Sequence, residues 1–230
     1  MRILTVSDKV EPVLYGPHIR DRVGRVDLVL ACGDLPYYYL EYIVGLLDAP
    51  LFYVHGNHDQ VIARTMSAFP TTGSTISWGT NLHLQPVEYR GLLLGGLEGC
   101  RRYSPDKPFQ YTENEMRLQA TRLGLRLWAN RLRYGRFLDI LITHAPPRGI
   151  HDDEDVPHQG FESYLSFMRS YRPRLLIHGH QHVYNRNAAI METQFEDTFV
   201  LNTYGYRVIE LAQGENGWRV VSAAAAQNAE

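Results

Sequence analysis

Five short apolar runs of strand length occur along the chain, and amphipathic segments alternate with them over its first two thirds. The apolar runs occupy residues 3–6, 26–32, 51–54, 137–143 and 175–177. Continuous apolar runs of this length are typical of strands that are buried on both faces of a sheet. Alternation of such strands with helical segments predicts strand-helix-strand crossovers and an α/β fold.

The longest helix is predicted to begin at Thr112 and to end near Gly135. Thr112 and Glu115 have the spacing of a capping box, and apolar residues recur behind them at helical intervals. A second helix is predicted from Phe161 to about Tyr171, where Pro173 stops it.

The end of the chain changes from crossovers to successive strands. Strands are predicted near residues 199–201, 206–211 and 218–221, with hairpin turns at 89–91 and 213–217. Crossovers together with hairpins imply two sheets, or one mixed sheet, covered by helices. With no composition break, residues 1–222 are expected to form a single domain and 223–230 a flexible tail.

Each of these five apolar runs is followed by residues of the types that bind metals. In an open α/β sheet, side chains beyond the carboxyl ends of neighbouring strands converge on one crevice. The sequence therefore predicts a metal centre built from these elements: Asp8, Gly33-Asp34, Gly56-Asn57-His58-Asp59, His144 and Gly179-His180-Gln181-His182.

In this order the elements resemble the motifs of the calcineurin-like metallophosphoesterase superfamily. The Gly-Asn-His-Asp and Gly-His-x-His elements are specific, whereas a Gly-Asp pair or an isolated His would be weak evidence alone. The resemblance spans Asp8 to His182. It implies a four-layer α/β/β/α sandwich in which two mixed β-sheets are flanked by helices.

The resemblance also implies roles for individual residues. Asp34 would bridge two divalent cations, with Asn57, His144 and His180 completing one site, and Asp8 and His182 serving the other. Mn²⁺ is the first expectation for this oxygen and imidazole set, with Fe or Zn²⁺ as alternatives. Two ions about 3.5–4 Å apart would hold the phosphate and generate a metal-bound hydroxide as the nucleophile. His58 would be the general acid, and Asp59 would orient its ring.

The first motif departs from the family pattern, which usually reads Asp-x-His. Here the motif is Asp8-Lys9-Val10, and a valine cannot bind a metal. The first site keeps Asp8, Asp34 and His182, so it is expected to bind its ion more weakly than the second.

Residues outside the motifs give further candidates for substrate binding. Arg101 and Arg102 follow an apolar run and could clamp phosphate, although a solvated basic loop is an equal alternative. His158 is the one residue of its acidic loop expected to reach substrate. Tyr37, Tyr38 and Tyr39 could line a base-binding wall or pack as part of a helix.

The net charge, the cysteines and the length of the apolar runs limit the classes of partner and the location that are expected. A net charge of −2 argues against a stable nucleic-acid partner held by a general positive field. The two cysteines have no spacing that suggests disulfides, which fits a cytoplasmic location. No apolar run reaches the ~18 residues of a membrane span, so no membrane partner is expected.

The predicted function is metal-dependent hydrolysis of a small phosphorylated substrate, with a phosphodiester such as a small nucleotide favoured. A phosphomonoesterase or phosphoprotein phosphatase is a close variant. The alternative class is a non-catalytic scaffold or interaction protein with the same fold, and Val10 is the observation in its favour. A nuclease is disfavoured because there is no evident basic groove.

Overall fold

A computed structural model describes residues 1–59, 79–183, 190–214 and 217–225, the last four by their backbone only. The helices are α1 (Ile19–Val23), α2 (Tyr37–Leu47), α3 (Glu113–Tyr134) and α4 (Glu162–Tyr171). Single turns of 3-10 helix occur at Pro12–Leu14 and Val156–His158. None of the described helices is long and apolar enough to cross a membrane.

The strands form two sheets of six strands each and one two-stranded ribbon. The first sheet has the order β14-β13-β1-β2-β3-β4, and the second has the order β11-β12-β10-β9-β6-β5. The strands are β1 (Arg2–Ser7), β2 (Leu28–Ala31), β3 (Leu51–Tyr53), β4 (Gly79–Asn81), β5 (Val87–Tyr89), β6 (Leu92–Leu97), β7 (Cys100–Arg101), β8 (Gln110–Tyr111), β9 (Ile140–Thr143), β10 (Leu175–His178), β11 (Glu192–Phe195), β12 (Thr198–Asn202), β13 (Gly205–Gly214) and β14 (Gly217–Ala225).

Alternating side chains along each strand build the layers. In β2, Leu28 and Leu30 lie in the apolar core that also contains residues of the second sheet, whereas Val29 packs with α1 and α2. A third core joins the outer face of the second sheet to α3 and α4. The two sheets therefore lie face to face between two helical layers, as the four-layer prediction required.

The ends of α3 confirm the local signals in the sequence. Thr112 accepts a hydrogen bond from the Glu115 backbone, and the Glu115 carboxylate bonds back to the Thr112 N–H. Gly135 closes the helix in the left-handed conformation that glycine adopts without steric cost. The predicted hairpin at 89–91 is also present, because β5 and β6 pair antiparallel across that turn.

The predicted tail begins too early. Strand β14 continues to Ala225, and Ala223, Ala224 and Ala225 pair with β13. Pairing with a long neighbouring strand satisfies backbone groups of a segment whose alanines carry little strand signal. Residues 226–230 of the predicted tail, and 215–216 of the last hairpin turn, lie outside the described residues.

Candidate metal centre

The candidate ligands come together at the carboxyl ends of parallel strands from both sheets. Asp8 follows β1, Asp34 lies three residues beyond β2, His144 follows β9 and His180 lies two residues beyond β10. Ligand atoms of these four residues all lie within 4.8 Å of one another. The crevice that the strand order predicted is therefore present.

The two remaining candidate ligands border this cluster. Asn57 Oδ1 lies 3.0 Å from His144 Nε2. His182 Nε2 lies 3.7 Å from Asp8 Oδ1. The structure thus brings all six predicted ligands together, and their assignment to two ions stays a prediction.

Left-handed backbone conformations hold three of the ligands in place. Asp8, Asp34 and His180 have φ angles of 63°, 56° and 65°. Such values cost energy for residues with a Cβ and cluster at functional sites. These conformations occur at three of the four residues whose ligand atoms meet in the crevice.

Close backbone approach explains two of the motif glycines. A Cβ at Gly56 would clash with Asp34 Oδ1 and with the ring of His144. A Cβ at Gly179 would clash with Ser7 Oγ and Asp8 Oδ2. Only glycine lets these loops pass so near the ligands.

His144 is fixed in the tautomer that a metal ligand needs. Its ring is fully buried, and Nδ1 donates to the Cys32 carbonyl at 2.7 Å. The neutral ring therefore presents its Nε2 lone pair to Asn57 Oδ1 and to Asp34 Oδ2, which is 3.3 Å away. A nitrogen lone pair that faces two oxygen atoms is repelled by them unless a cation, either a proton or a metal, lies between them.

His180 is oriented in the same manner. Its Nε2 donates to the Pro157 carbonyl at 2.7 Å, which leaves Nδ1 for a ligand. Burial, together with the charge of His144, lowers the pKa of His180 to about 4. The ring therefore stays neutral, as a ligand must.

Asp34 and Asp8 supply the negative charge. Burial acts to raise the pKa of Asp34, but the charge and hydrogen bond of His144 outweigh it and bring that pKa to about 2. Burial likewise opposes protonation of His144, yet Asp34 raises the pKa of His144 to about 9. The interaction of His182 with Asp8 raises the pKa of His182. The cluster attracts positive charge.

One oxygen of Asp8 fits a metal better than it fits the protein alone. Asp8 Oδ2 accepts from the His180 N–H at 2.9 Å and from Ser7 Oγ. Asp8 Oδ1 is buried and has no hydrogen-bond partner in the part of the chain that the structure describes. A buried carboxylate oxygen without a hydrogen-bond partner is costly unless positive charge faces it, and here the His182 ring at 3.7 Å and a bound cation could both supply that charge. The residues present fit a divalent metal.

His58 and Asp59 border the cluster but do not make the predicted contact. The His58 N–H donates to Asp34 Oδ1 at 2.8 Å, and the His58 side chain is exposed. Asp59 accepts from the Gly56 N–H at 2.8 Å, and among the described residues no hydrogen bond joins Asp59 to the His58 ring. One oxygen of the Asp59 carboxylate thus closes a local turn, and the role of Asp59 in orienting His58 stays a prediction.

The structure also gives the candidate arginines other partners. Arg101 pairs with Glu113 at 2.9 Å, and Arg102 pairs with Glu115 at 2.8 Å. Both guanidinium groups thus extend to the first turn of α3, and their contact with phosphate stays a prediction. His158, the third candidate for substrate binding, does lie next to the cluster, because its ring centre is 5.1 Å from that of His180.

A cavity of about 440 Å³ opens beside the cluster. Asp34, His58 and Asp59 line one side, and Leu35, Pro36, Tyr37 and Tyr38 line the rest. The predicted aromatic wall is thus divided: Tyr37 and Tyr38 face the cavity, and Tyr39 is fully buried in the core. Burial, followed by the charge of Asp59, raises the pKa of Tyr37, so this phenol stays neutral.

Sequence reasoning missed several supporting residues. The Tyr103 hydroxyl accepts from Asn57 Nδ2 at 3.1 Å and so turns Asn57 Oδ1 towards His144. Tyr103 lies two residues beyond β7, next to the candidate arginines, and its position after a strand could have indicated it. Ser7 and Glu98 also support the site, but only their contacts show this.

A family model for calcineurin-like phosphoesterases matches residues 8–184. The chain belongs to this family. The match confirms the resemblance seen in the motifs and covers every candidate ligand. The calcineurin-like phosphoesterases use divalent metals, and membership supports hydrolysis of a phosphoric ester.

Individual relatives agree with the fold. An uncharacterized protein of Haemophilus influenzae is 27% identical over 142 residues, which cover 57% of this chain and 62% of that protein. This chain thus spans less than two thirds of that relative. The structure of TT1561 from Thermus thermophilus has a TM-score of 0.60 at 14% identity and covers 90% of this chain and 93% of its own.

A third similar protein is GAP50, described as the anchor in the inner membrane complex of Plasmodium. Its structure has a TM-score of 0.56 at 12% identity and covers 100% of this chain and 86% of its own. At such identities both solved structures show a shared fold. The chemistry of this calcineurin-like phosphoesterase therefore has to be argued from its own site.

Proposed function

We propose that this protein is a metal-dependent phosphodiesterase whose substrate carries an aromatic group, such as a small nucleotide. The observation that carries the proposal is the convergence of four candidate ligands, Asp8, Asp34, His144 and His180, bordered by Asn57 and His182, beside a cavity lined by Tyr37 and Tyr38. Bound divalent cations, with Mn²⁺ as the first candidate, would hold the phosphate and lower the pKa of a coordinated water.

The chain's own residues provide the remaining functions. The backbone of His58 is tied to Asp34, and its side chain borders the cavity, which suits a donor that protonates the departing oxygen. The His158 ring lies beside the candidate ligand His180, and it would contact the phosphate or its substituent from that side of the metal centre. Tyr37 and Tyr38 offer faces against which a planar group can stack.

A diester fits these surroundings better than a monoester. Arg101 and Arg102 are already paired with Glu113 and Glu115. Of the described residues that line the cavity, none is an arginine or lysine. A diester has one negative charge and a second organic substituent, which matches a cavity that is poor in cations and rich in apolar surface.

The test is hydrolysis of bis-p-nitrophenyl phosphate and of p-nitrophenyl phosphate by chelator-stripped protein during a Mn²⁺ titration. We expect activity to return with the metal and to favour the diester. Asp34→Asn should abolish it, and Arg102→Gln should leave it near the wild-type rate. A preference for the monoester would overturn the diesterase assignment.

The scaffold alternative rests on Val10, which packs against the apolar core of the first sheet where the family usually has a metal-binding His. The scaffold hypothesis would be favoured if the protein binds Mn²⁺ and hydrolyses neither ester, while circular dichroism shows that it is still folded. Tyr38→Ala separates the two hypotheses further. In an enzyme it should raise KM for an aryl diester more than for a methyl diester, and in a scaffold it changes no rate.

A further inference from the structure

Helix α3 presents a row of apolar side chains to solvent. Leu118, Leu125, Trp128 and Leu132 are 51%, 67%, 52% and 85% exposed. Leucines seven residues apart lie on one side of a helix, about two turns from each other. The opposite side of α3, with Met116, Leu123 and Leu127, packs into the core. We call the exposed row, with its flanking arginines, the α3 surface.

Arginines border this row on both sides. At about 100° per residue, Arg122, Arg126 and Arg133 fall on one flank of the leucines, and Arg117 and Arg131 fall on the other. All five are exposed. The two acidic residues of α3, Glu113 and Glu115, are in its first turn and are paired with Arg101 and Arg102.

The positive charge of this surface is not neutralised locally. Within the described ranges, none of the five arginines forms an ion pair with a carboxylate. Arg131 and Arg133 lie over the rings of Phe137 and Tyr134, and Arg126 donates to the Leu84 carbonyl. A protein with a net charge of −2 thus concentrates five cations around one apolar stripe.

This combination selects among possible partners. A second copy docked helix to helix would bury the leucines but would bring arginine rows together, which is unfavourable. A nucleic acid would pair with the arginines and leave the leucines without apolar contacts. An anionic lipid surface matches both, because leucine and tryptophan enter the boundary between headgroups and acyl chains while arginines reach the phosphates.

We propose that the α3 surface docks this protein on anionic lipid bilayers. Leu118, Leu125 and Leu132 enter the headgroup region, and the flanking arginines bind lipid phosphates. The length of the apolar runs and the total charge argue against a membrane partner, but they are not sensitive to an apolar and cationic surface on a single helix. The proposal departs from that expectation because the α3 surface combines apolar and cationic side chains on one helix.

Co-sedimentation with vesicles tests the proposal. We compare vesicles of phosphatidylcholine with vesicles containing equal parts of phosphatidylcholine and phosphatidylglycerol. Binding should require the anionic lipid and weaken with added salt. Arg122→Gln with Arg133→Gln should reduce the affinity roughly 25-fold, since each arginine near such a surface strengthens binding about fivefold. Leu125→Ser with Leu132→Ser should reduce it at least about tenfold.

Matched substitutions elsewhere control for general effects. Ile190 is 74% exposed, so Ile190→Ser removes an equally exposed apolar side chain, and Arg22→Gln with Arg25→Gln removes two exposed cations. Both controls should bind like wild type. All variants change solvent-exposed side chains, and their helicity and thermal unfolding should match wild type.

Three results would overturn the proposal. The first is no preference for the anionic vesicles. The second is a wild-type dimer by light scattering that the leucine substitutions convert to monomer, which would assign the surface to a second copy. The third is tight binding of a single-stranded oligonucleotide that survives the leucine substitutions, which would assign it to nucleic acid.

Discussion

The rings of His151 and His178 share a hydrogen bond of 2.9 Å between Nδ1 of the first and Nε2 of the second. His178 Nδ1 must donate to the Gly179 carbonyl, so its Nε2 accepts from His151. His151 Nε2 then accepts from the Thr193 hydroxyl. Both rings are neutral in this chain of bonds, which fixes the loop that carries Gly179 and His180.

This chain of bonds predicts an acid-sensitive fold. Burial, with the charge of Arg207, lowers the pKa of His151 to about 4, and burial lowers the pKa of His178 well below its usual value. The unfolded state binds the proton more readily, so stability is complete above pH 6.5 and declines as pH falls towards 4. For His151 the loss by pH 5 is at most about 2 kcal/mol.

Urea unfolding of chelator-treated protein at pH 7 and pH 5 measures this loss. His151→Asn is the matched variant, because Asn tolerates the positive φ of 58° at this position. It should be less stable than wild type at pH 7 and should show a flatter decline to pH 5. An equal decline in both proteins would show that His151 does not contribute.

A second prediction concerns the proton donor. His58→Ala should lower kcat about 10²-fold or more for diesters with poor leaving groups and much less for p-nitrophenyl esters. Metal stoichiometry by calorimetry should stay unchanged. Asp59→Asn should keep most activity, since an amide oxygen still accepts from Gly56. A large loss in Asp59→Asn would instead restore its predicted role in orienting His58.

A third prediction concerns the degenerate first motif. Wild-type protein should bind two Mn²⁺ ions with unequal affinity, because Val10 supplies no ligand at the first site. Val10→His should tighten the weaker step by about tenfold or more in a calorimetric titration. Val13→His is the control, since Val13 packs against the same core outside the motif. Equal tightening in both variants, or two equally tight sites in wild type, would contradict this assignment.

A fourth prediction concerns the buried carboxylate under the metal loop. Glu98 contacts His55 Nδ1 at 3.0 Å and accepts from the Tyr111 hydroxyl at 2.8 Å. Burial would raise the pKa of Glu98, but bonds and charges from His55 and His83 lower it overall. Glu98→Ala should lower the free energy of unfolding by about 3 kcal/mol, because it leaves the buried groups of His55 and Tyr111 without this hydrogen-bond acceptor.

Thermal and urea unfolding will measure that cost. Glu98→Gln, which keeps a hydrogen-bonding side chain, should lose less than Glu98→Ala. Because His55 directly precedes Gly56 and Asn57, Glu98→Ala should also weaken Mn²⁺ binding. Unchanged stability in both variants would show that the network adds nothing to the fold.

Local signals in the sequence predicted the features that depend on near neighbours. The capping box at Thr112 and the glycine at 135 set both ends of α3, since their bonds join residues a few positions apart. The metal ligands were identifiable for a related reason. A residue within a few positions after a buried parallel strand lies at the edge of the sheet where the crevice forms.

For the remaining side chains, the contacts with residues far away in the sequence are determined by the tertiary structure alone. The sequence left Arg101 free to bind phosphate, and packing of α3 placed Glu113 beside it. Of the apolar residues that recur along α3, Leu123 and Leu127 are buried, whereas Trp128 is 52% exposed. Chain periodicity defines the faces of a helix, and the sheet on which the helix packs determines which face remains in water.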